Sequence, residues 1–292
     1  NNFIGNGSGP NVQNQVTGRI DHTIRQNHKV FGRFAWSNVQ RGAVDFFGNG
    51  AGWVNPGGGG VPLVFNARNA SMDYTWTVSP TLLANVRYGF VRQFVGKTPA
   101  LTGLDLTSIG FPASFNNQAF LQALPAFQPS GYRALAPATS DLIQRADNTH
   151  ALQGNVTKVL ARHNLKVGVD GRYIPTGELQ PSAPQGTFNF DGRFTSSDPL
   201  RILGNSGHAI ASFLLGVPNS GSIDFNPAIS ISSRYFGWYV QDDIRMSSKL
   251  TLNLGIRYEL ETGRDERYNR LSWFDPSVPS PLAQQAGVSG LT

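Results

Sequence analysis

Two adjacent carboxylates, Asp242 and Asp243, come closest in this sequence to an acid–base pair. Such a dyad needs both carboxyl groups in one site, so that one holds a proton while the other is ionised. The residues around them alternate between apolar and polar, which predicts a strand, and neighbouring residues of a strand point to opposite faces. The two carboxylates therefore cannot form one dyad, and we predict that the chain is not an enzyme.

Metal and cofactor chemistry has equally little support in the sequence. The chain has 5 histidines and no cysteine, and the histidines lie on predicted turns or strands without the spacing of metal ligands. The glycines of residues 48–52 lack the preceding strand and following helix of a dinucleotide loop, and residues 57–60 are typical of a flexible loop tip. We predict no catalytic, metal-binding or cofactor-binding residue. The histidines are His22, His28, His150, His163 and His208.

Ligand binding is the chemistry that the sequence leaves open. Residues 96–146 form a polar stretch of about 50 residues, far longer than the usual connection of about four to six. Aromatic rings set among proline, glutamine and asparagine in this stretch could stack on a planar or sugar-like ligand. The same rings could instead hold the loop against the rest of the protein, and this is the favoured reading because so long a loop needs packing of its own. The residues are Phe111, Phe115, Phe120, Phe127 and Tyr132.

The elements that would carry such a loop are long, alternating strands. In residues 250–261 every second residue is apolar, and the residues between are polar or glycine. This strict period of two continues for about a dozen residues, whereas an ordinary strand has about five or six. A tilted strand that crosses a bilayer needs about nine to eleven residues with alternating apolar and polar faces. The segment therefore predicts a transmembrane β-barrel.

The same alternation recurs along the chain and predicts about ten long antiparallel strands. Short turns at residues 26–28, 79–81, 161–163 and 247–249 join pairs of them, and long polar stretches separate the pairs. Short turns on one side and long loops on the other are typical of the periplasmic and extracellular ends of an outer-membrane barrel. The predicted strands are residues 16–25, 29–38, 69–79, 82–94, 147–160, 164–173, 186–194, 220–231, 235–245 and 250–261.

Composition agrees with this fold class. The charged fraction of 14% is low against about 25% in soluble proteins. The mean hydropathy is −0.24, and the longest apolar run, residues 209–217, is far shorter than the about 20 residues of a transmembrane helix. The net charge of +6 comes from lysines and arginines scattered singly, without a basic run or a nucleic-acid-binding module. We therefore expect no nucleic-acid partner.

Two runs near the end of the chain resemble the barrel of TonB-dependent outer-membrane receptors. They are YFGWYVQDDIR at residues 235–245 and LTLNLGIRYE at residues 250–259, a frequent strand pair in that family. Other segments are similar to the Oar-like branch, namely GRIDH at 18–22 with FGRF at 31–34, HNLKVGVD at 163–170 and ASFLLGVP at 211–218. The resemblance covers most of residues 16–275.

The resemblance implies energy-coupled uptake of a large, scarce ligand, of the siderophore, cobalamin, glycan or peptide class, across the bacterial cell outer membrane. It implies outer-membrane lipid and the TonB complex as partners, the latter through a plug domain, and no cofactor. Aromatic rings near strand ends would then lie at the membrane interfaces, with Trp76 on the periplasmic side. The others, toward the outer interface, are Trp36, Phe94, Phe236, Trp238 and Tyr258. The alternative for these rings is a buried core.

The family pattern is incomplete in this sequence. We find no TonB-box candidate, no plug-like domain, no signal peptide and no terminal aromatic strand, and the family's barrel has 22 strands. We therefore expect residues 1–292 to be part of the receptor barrel domain, an internal segment of a larger exported protein. An open sheet edge is not tolerated in lipid, so the segment alone is not expected to transport.

One segment does not fit a barrel strand. Residues 207–216 place Ile210, Phe213 and Leu214 at helical spacing. Counting strands on either side puts this segment at the periplasmic end, so we predict a short helix at that mouth of the barrel, where it could contact a plug.

Two other classes of protein remain open from the residues alone. A self-contained barrel of about ten strands could act as an enzyme or an adhesin, but a surface protease needs an Asp–Asp pair and an Asp–His pair at the outer strand ends, which we do not find. A carbohydrate-binding β-sandwich would need shorter strands and a core on one face of each sheet.

Overall fold

The computed structural model describes residues 8–47, 49, 53–54, 62–99, 101–135, 142–200, 205–273 and 275–278. The predicted loop tip at residues 57–60, and residues 48 and 50–52 of the other glycine-rich segment, lie outside the described residues. Strands dominate the described part of the chain. In chain order they are β1 (Asn11–Arg25), β2 (His28–Arg41), β3 (Val44–Asp45), β4 (Trp53–Val54), β5 (Leu63–Ser79), β6 (Leu82–Lys97), β7 (Ala126–Pro129), β8 (Ile143–Leu160), β9 (His163–Leu179), β10 (Thr187–Phe190), β11 (Ser220–Ser222), β12 (Ile229–Arg245), β13 (Thr251–Glu261) and β14 (Asp265–Glu266).

Helices are few and short. The described residues contain two α-helices, α1 (Ala113–Gln118) and α2 (Ala209–Leu214), and two 3-10 helices, which span Leu106–Ile109 and Arg193–Thr195. No helix within the described ranges has both the length and the apolar character that crossing a membrane requires.

The long strands form one antiparallel sheet in the order β1-β2-β5-β6-β8-β9-β12-β13, with the short β14 also paired to β12. Each long strand pairs with the next long strand along the chain, so the sheet is built entirely from up-and-down neighbours. The four short turns that the sequence predicts all join such neighbours at one end of the sheet. The predicted all-β antiparallel fold, with short turns opposite long connections, is confirmed.

The number of long strands was overestimated. The described residues contain eight of them, from 11 residues in β13 to 18 in β8, rather than about ten. The predicted strands 186–194 and 220–231 are instead the short β10 and β11, which belong to a separate sheet of three strands. Alternation such as Phe188-Asn-Phe190 looks the same in a short strand, but the backbone turns at Gly186, whose φ is 91°, and the strand ends at Phe190.

The sheet has a free edge on each side in the described part of the chain, since β1 and β13 each pair with one long neighbour. A β-sandwich needs two sheets packed face to face. The long strands lie in a single sheet and are at least 11 residues long, so the β-sandwich alternative is wrong.

The two faces of this sheet differ sharply. We call one the apolar face. It carries the even-numbered residues of every long strand except β9, which contributes its odd-numbered residues. One row of register partners on this face is Met72, Tyr88, Leu152, Gly171 and Phe236. We call the other the charged face. Apolar side chains stay exposed on the first face, for example Met72 at 58%, which is typical of the lipid-facing band of a membrane barrel.

Ion pairs and amides cover the charged face. Asp73 of β5 is only 5% exposed and accepts hydrogen bonds of 2.8 Å each from Arg87 Nε and Asn85 Nδ2 of β6. Further along the sheet, Asp170 accepts from both Arg172 and Gln153. Carboxylates buried in this way are paired and hydrogen-bonded, as the cost of burying a charge demands.

One glycine on the charged face makes room for an aromatic ring. Tyr239 of β12 lies across Gly168 of β9, so that a Cβ on residue 168 would stand 2.4 Å from the ring atom Cε1. Lys166 and Arg257 lie over the same ring, 5.9 and 5.8 Å from its centroid. The ring thus fills a slot that only glycine leaves open.

Gly168→Ala is therefore expected to lower the free energy of unfolding by about 1–2 kcal/mol, because the tyrosine ring must leave its slot. The matched control is Gly89→Ala, also on the charged face, where a Cβ would meet nothing within 4 Å. That variant should be neutral or stabilising by about 0.5–1 kcal/mol, since alanine reduces the entropy of the unfolded chain. Denaturant titration of the protein folded in detergent measures both. If both variants changed the free energy of unfolding equally, the Tyr239 ring would not depend on the space left by Gly168.

Candidate ligand site in the loop cap

The two longest described connections fold together at the end of the sheet opposite the short turns. We call residues 101–135, 180–200 and 205–228 the loop cap. Its centre is the small sheet β11-β10-β7, in which β7 comes from the first connection and β10 and β11 from the second. Backbone bonds from Leu121 to Pro184, Ala126 to Gly186 and Ser130 to Phe190, each of 2.8–3.0 Å, join the two connections further. The cap is therefore one packed unit rather than two independent loops.

Phenylalanine rings from both connections form a cluster on one side of this sheet. Phe127 lies 6.3 Å from Phe111, 6.0 Å from Phe188 and 5.6 Å from Phe213, measured between ring centroids. The spacings are those of favourable offset and edge-to-face ring pairs. The full cluster is Phe111, Phe115, Phe127, Phe188, Phe190 and Phe213.

A cavity of about 570 Å³ opens beside the cluster. Its walls are phenylalanine, isoleucine, leucine, proline and glycine, and no lysine, arginine, aspartate or glutamate lines it. The size falls within the range of small-molecule sites, about 300–1,000 Å³. Such a cavity suits an apolar, planar group rather than a charged one.

The structure separates the five aromatic residues that the sequence singled out in this loop. Phe111, Phe115 and Phe127 come together in the ring cluster. Phe120 instead meets Phe225 edge to face at 6.2 Å, and Tyr132 lies on another side of the cap. Many of the rings contact one another, so packing of the cap is one of their roles. A role in ligand binding stays a prediction.

Sequence reasoning missed the half of the cluster that comes from the second connection. The sequence predicts Phe188 and Phe190 on a barrel strand and Phe213 on a helix at the opposite end of the barrel. Their alternation and helical spacing gave correct local structure. The parallel pairing of β7 with β10, which brings the two connections together, leaves no pattern in either segment alone.

Helix α2 lies in the loop cap and not at the periplasmic mouth. It packs near β7 and β10, and its predicted position is wrong because the prediction counts one extra barrel strand between α2 and the long strands on either side. The side chain of His208 caps the helix by accepting a hydrogen bond from the backbone N–H of Ile210 at its Nδ1. In the neutral ring the Nε2 then carries the proton, and it donates to the Tyr132 hydroxyl at 3.1 Å.

A second, polar cleft lies at the other side of the same strands. Its volume is about 510 Å³, and side-chain amides, Tyr132 and a single carboxylate line it. Amides and an aromatic ring are the groups with which proteins hold neutral polar ligands. The amides and carboxylate are those of Gln128, Asn189, Asn219 and Asp191.

The last connection described, after β13, is fixed by one carboxylate. Glu266 of β14 accepts backbone N–H bonds from Ser230, Tyr268 and Arg270 at 3.1, 2.8 and 2.9 Å. Partial desolvation raises the pKa of Glu266, but these three hydrogen bonds favour the ionised form, and the pKa ends below its ordinary value. This carboxylate organises backbone and is not available as an acid or base.

The predicted membrane-interface aromatics all lie on the apolar face. Trp36 and Phe94 are close to the long connections, and Trp76 is close to the short turn between β5 and β6. Phe236 and Trp238, in contrast, lie at the middle of β12 rather than near its end, because this strand begins at Ile229. The list is completed by Tyr258, whose ring lies 6.2 Å from that of Trp238. Their level in the membrane stays a prediction.

The adjacent carboxylates lie on opposite faces of β12. Asp242 contacts His163 Nδ1 at 2.7 Å on the apolar face, beside the short turns, while Asp243 accepts a hydrogen bond from Gln241 on the charged face. They form no dyad. Nowhere in the described ranges do three or more His, Asp or Glu side chains gather as a metal site would require.

A protein-family profile described as an outer membrane beta barrel domain matches residues 1–291. FpvA of P. aeruginosa, solved bound to heterologous pyoverdines, is similar in structure with a TM-score of 0.51 and 11% identity, over 89% of this chain and 32% of that one. The outer membrane transporter YddB of Escherichia coli has a TM-score of 0.51 and 7% identity, over 88% of this chain and 29% of that one. The chain thus spans under a third of each structure. None of the curated proteins matches its sequence.

Proposed function

The chain belongs to the outer membrane beta-barrel domain family, and from this we propose that it forms part of the barrel of a TonB-dependent transporter. The transporter would take up a large, scarce ligand, of the siderophore, cobalamin, glycan or peptide class, by energy-coupled transport. The family match confirms the predicted β-barrel fold and the location in the bacterial outer membrane.

The observation that carries the proposal is the pairing of a barrel wall with a folded cap. Long strands with one apolar and one charged face are suited to separate lipid from a polar interior. The cap lies where the long connections meet, and it holds an uncharged aromatic cavity beside a polar cleft. A transporter that captures a scarce ligand needs a first binding site at this end, and the described wall and cap would supply both parts.

The partners that we propose follow from the same architecture. Lipid would cover the apolar face. A plug domain in the lumen would contact the charged face, and coupling to the TonB complex would move this plug. Residues 1–292 would then be one stretch of a 22-strand barrel of the Oar-like branch. We propose no nucleic-acid partner, no cofactor and no enzymatic activity.

The test is nutrient uptake by cells that express the full-length protein carrying this chain. Ferric siderophores, cobalamin, oligosaccharides and peptides would each be supplied as the limiting source, with and without functional TonB. Growth that needs both this protein and TonB is the expected result. Growth without TonB would overturn the energy coupling, and binding without uptake would favour an adhesion role for the same barrel.

Phe127→Leu is expected to weaken ligand binding about three- to tenfold, because it removes a ring face from the cavity wall while keeping an apolar side chain. The matched control is Phe225→Leu, which loses a ring in the same cap, packed on Phe120 outside the cavity. Binding of the growth-supporting ligand to whole cells gives both affinities. If the control weakens binding as much as Phe127→Leu, the cavity is not the ligand site and the effect comes from the packing of the cap.

A further inference from the structure

Two arginines face each other across neighbouring strands on the apolar face. Arg68 of β5 is the register partner of Arg92 of β6, so their Cβ atoms stand about 4.5–5.5 Å apart. Like charges placed directly opposite in this way destabilise a sheet unless something neutralises them. The pair therefore needs an explanation on a face that is otherwise largely apolar.

The pair lies at the edge of the apolar band that is nearer the loop cap. Arg68 is eight residues from Trp76, which stands beside the short turn, with Met72 midway between them. At a rise of about 3.4 Å per residue and a tilt of about 40°, Arg68 stands about 21 Å above Trp76. The outward apolar band of such barrels is about 25 Å tall. The arginines are thus at the level of the lipid headgroups of the outer leaflet.

The described strands around the pair supply no counter-charge on the apolar face. Among β2, β5, β6 and β8 the acidic residues are Asp73 and Asp147, and both lie on the charged face. Arg92 Nη1 donates to the amide oxygen of Asn148 at 3.0 Å, which is a neutral partner. The Arg68 side chain makes no hydrogen bond or ion pair with any described residue.

We propose that Arg68 and Arg92 together bind a phosphate group of an outer-leaflet lipid. Guanidinium groups present planar forks that match phosphate oxygens, and a shared anion turns the unfavourable pair into a favourable cluster. Asn148 holds Arg92 in place, and Trp36, the partner of Arg68 on β2, flanks the site with a ring suited to the interface. The proposal needs only the outer-membrane location and is independent of transport.

The test uses the full-length protein in lipid nanodiscs that contain bisphosphorylated lipid A or its dephosphorylated analogue. Native mass spectrometry after release from the disc counts the lipid molecules retained. The variants are Arg68→Gln, Arg92→Gln and the double change. The matched control is Arg33→Gln, which removes the same charge from β2 on the charged face of the sheet.

We expect the wild-type protein to retain the phosphorylated lipid in preference to the analogue. Each single variant should weaken retention about fivefold, the double variant more, and the control should not change it. Equal retention of both lipids, or equal loss in Arg33→Gln, would overturn the proposal. Displacement of the lipid by millimolar inorganic phosphate would show a free-phosphate site and overturn the lipid assignment.

Discussion

Met72→Arg is expected to cost about 2–4 kcal/mol of folding free energy in a bilayer, among the largest effects of any single change that we propose in this chain. Met72 lies on the apolar face, midway between Trp76 and Arg68, and its surface is 58% exposed. A guanidinium at that level would have to leave water for hydrocarbon, with no carboxylate on its own face of β5 to pair with.

The control is Asn69→Arg, three residues away on the same strand but on the charged face. Its register partners Ala35 and Val91 carry no charge, and the long side chain can reach the polar interior. We expect this change to cost less than about 1 kcal/mol. Denaturant titration of the full-length protein folded into liposomes gives both values. A larger cost for Asn69→Arg than for Met72→Arg would reverse the assignment of the two faces.

The long strands of the barrel could be predicted from the sequence because the patterns that determine them lie within short segments of the chain. Strict alternation over a dozen residues fixes which side chains meet lipid, as residues 250–261 illustrate, and a short polar turn fixes the register of each hairpin. Both signals lie within about 30 residues of chain. The strand pairs β5–β6, β8–β9 and β12–β13 accordingly form as expected.

The loop cap could not be read in the same way. Phe188 and Phe190 alternate with polar residues just as barrel residues do, and nothing in four residues tells a cap strand from a wall strand. One of the two partners of β10 is β7, about 60 residues earlier in the chain, and a parallel contact of that separation leaves no periodic trace in the sequence. Counting residues 186–194 as one extra wall strand before α2 switches the end of the sheet at which the chain emerges, so the sequence places α2 at the wrong end of the barrel.

Asp73→Ala is expected to lower the free energy of unfolding by about 2–3 kcal/mol. The change leaves the Arg87 guanidinium and the Asn85 amide without the buried acceptor that both use at 2.8 Å, and hydrogen bonds to charged groups are worth about 1.5–3 kcal/mol. The Arg87 side chain is 51% exposed and can turn to water, which keeps the cost below that of breaking a fully buried pair.

The matched control is Asp21→Ala, which breaks an ion pair of nearly the same length on the same face. Asp21 meets Arg19 at 2.7 Å, but its side chain is 62% exposed, so we expect Asp21→Ala to cost clearly less stability than Asp73→Ala. Denaturant titration of the protein folded in detergent measures the free energy of unfolding of both variants. The two expected stability costs differ because the carboxylates differ in burial, since the two ion pairs have nearly equal distances. The comparison also tests whether the proposed plug covers the charged face. If Asp21→Ala costs as much as Asp73→Ala in the full-length protein, then protein rather than water covers the charged face at β1.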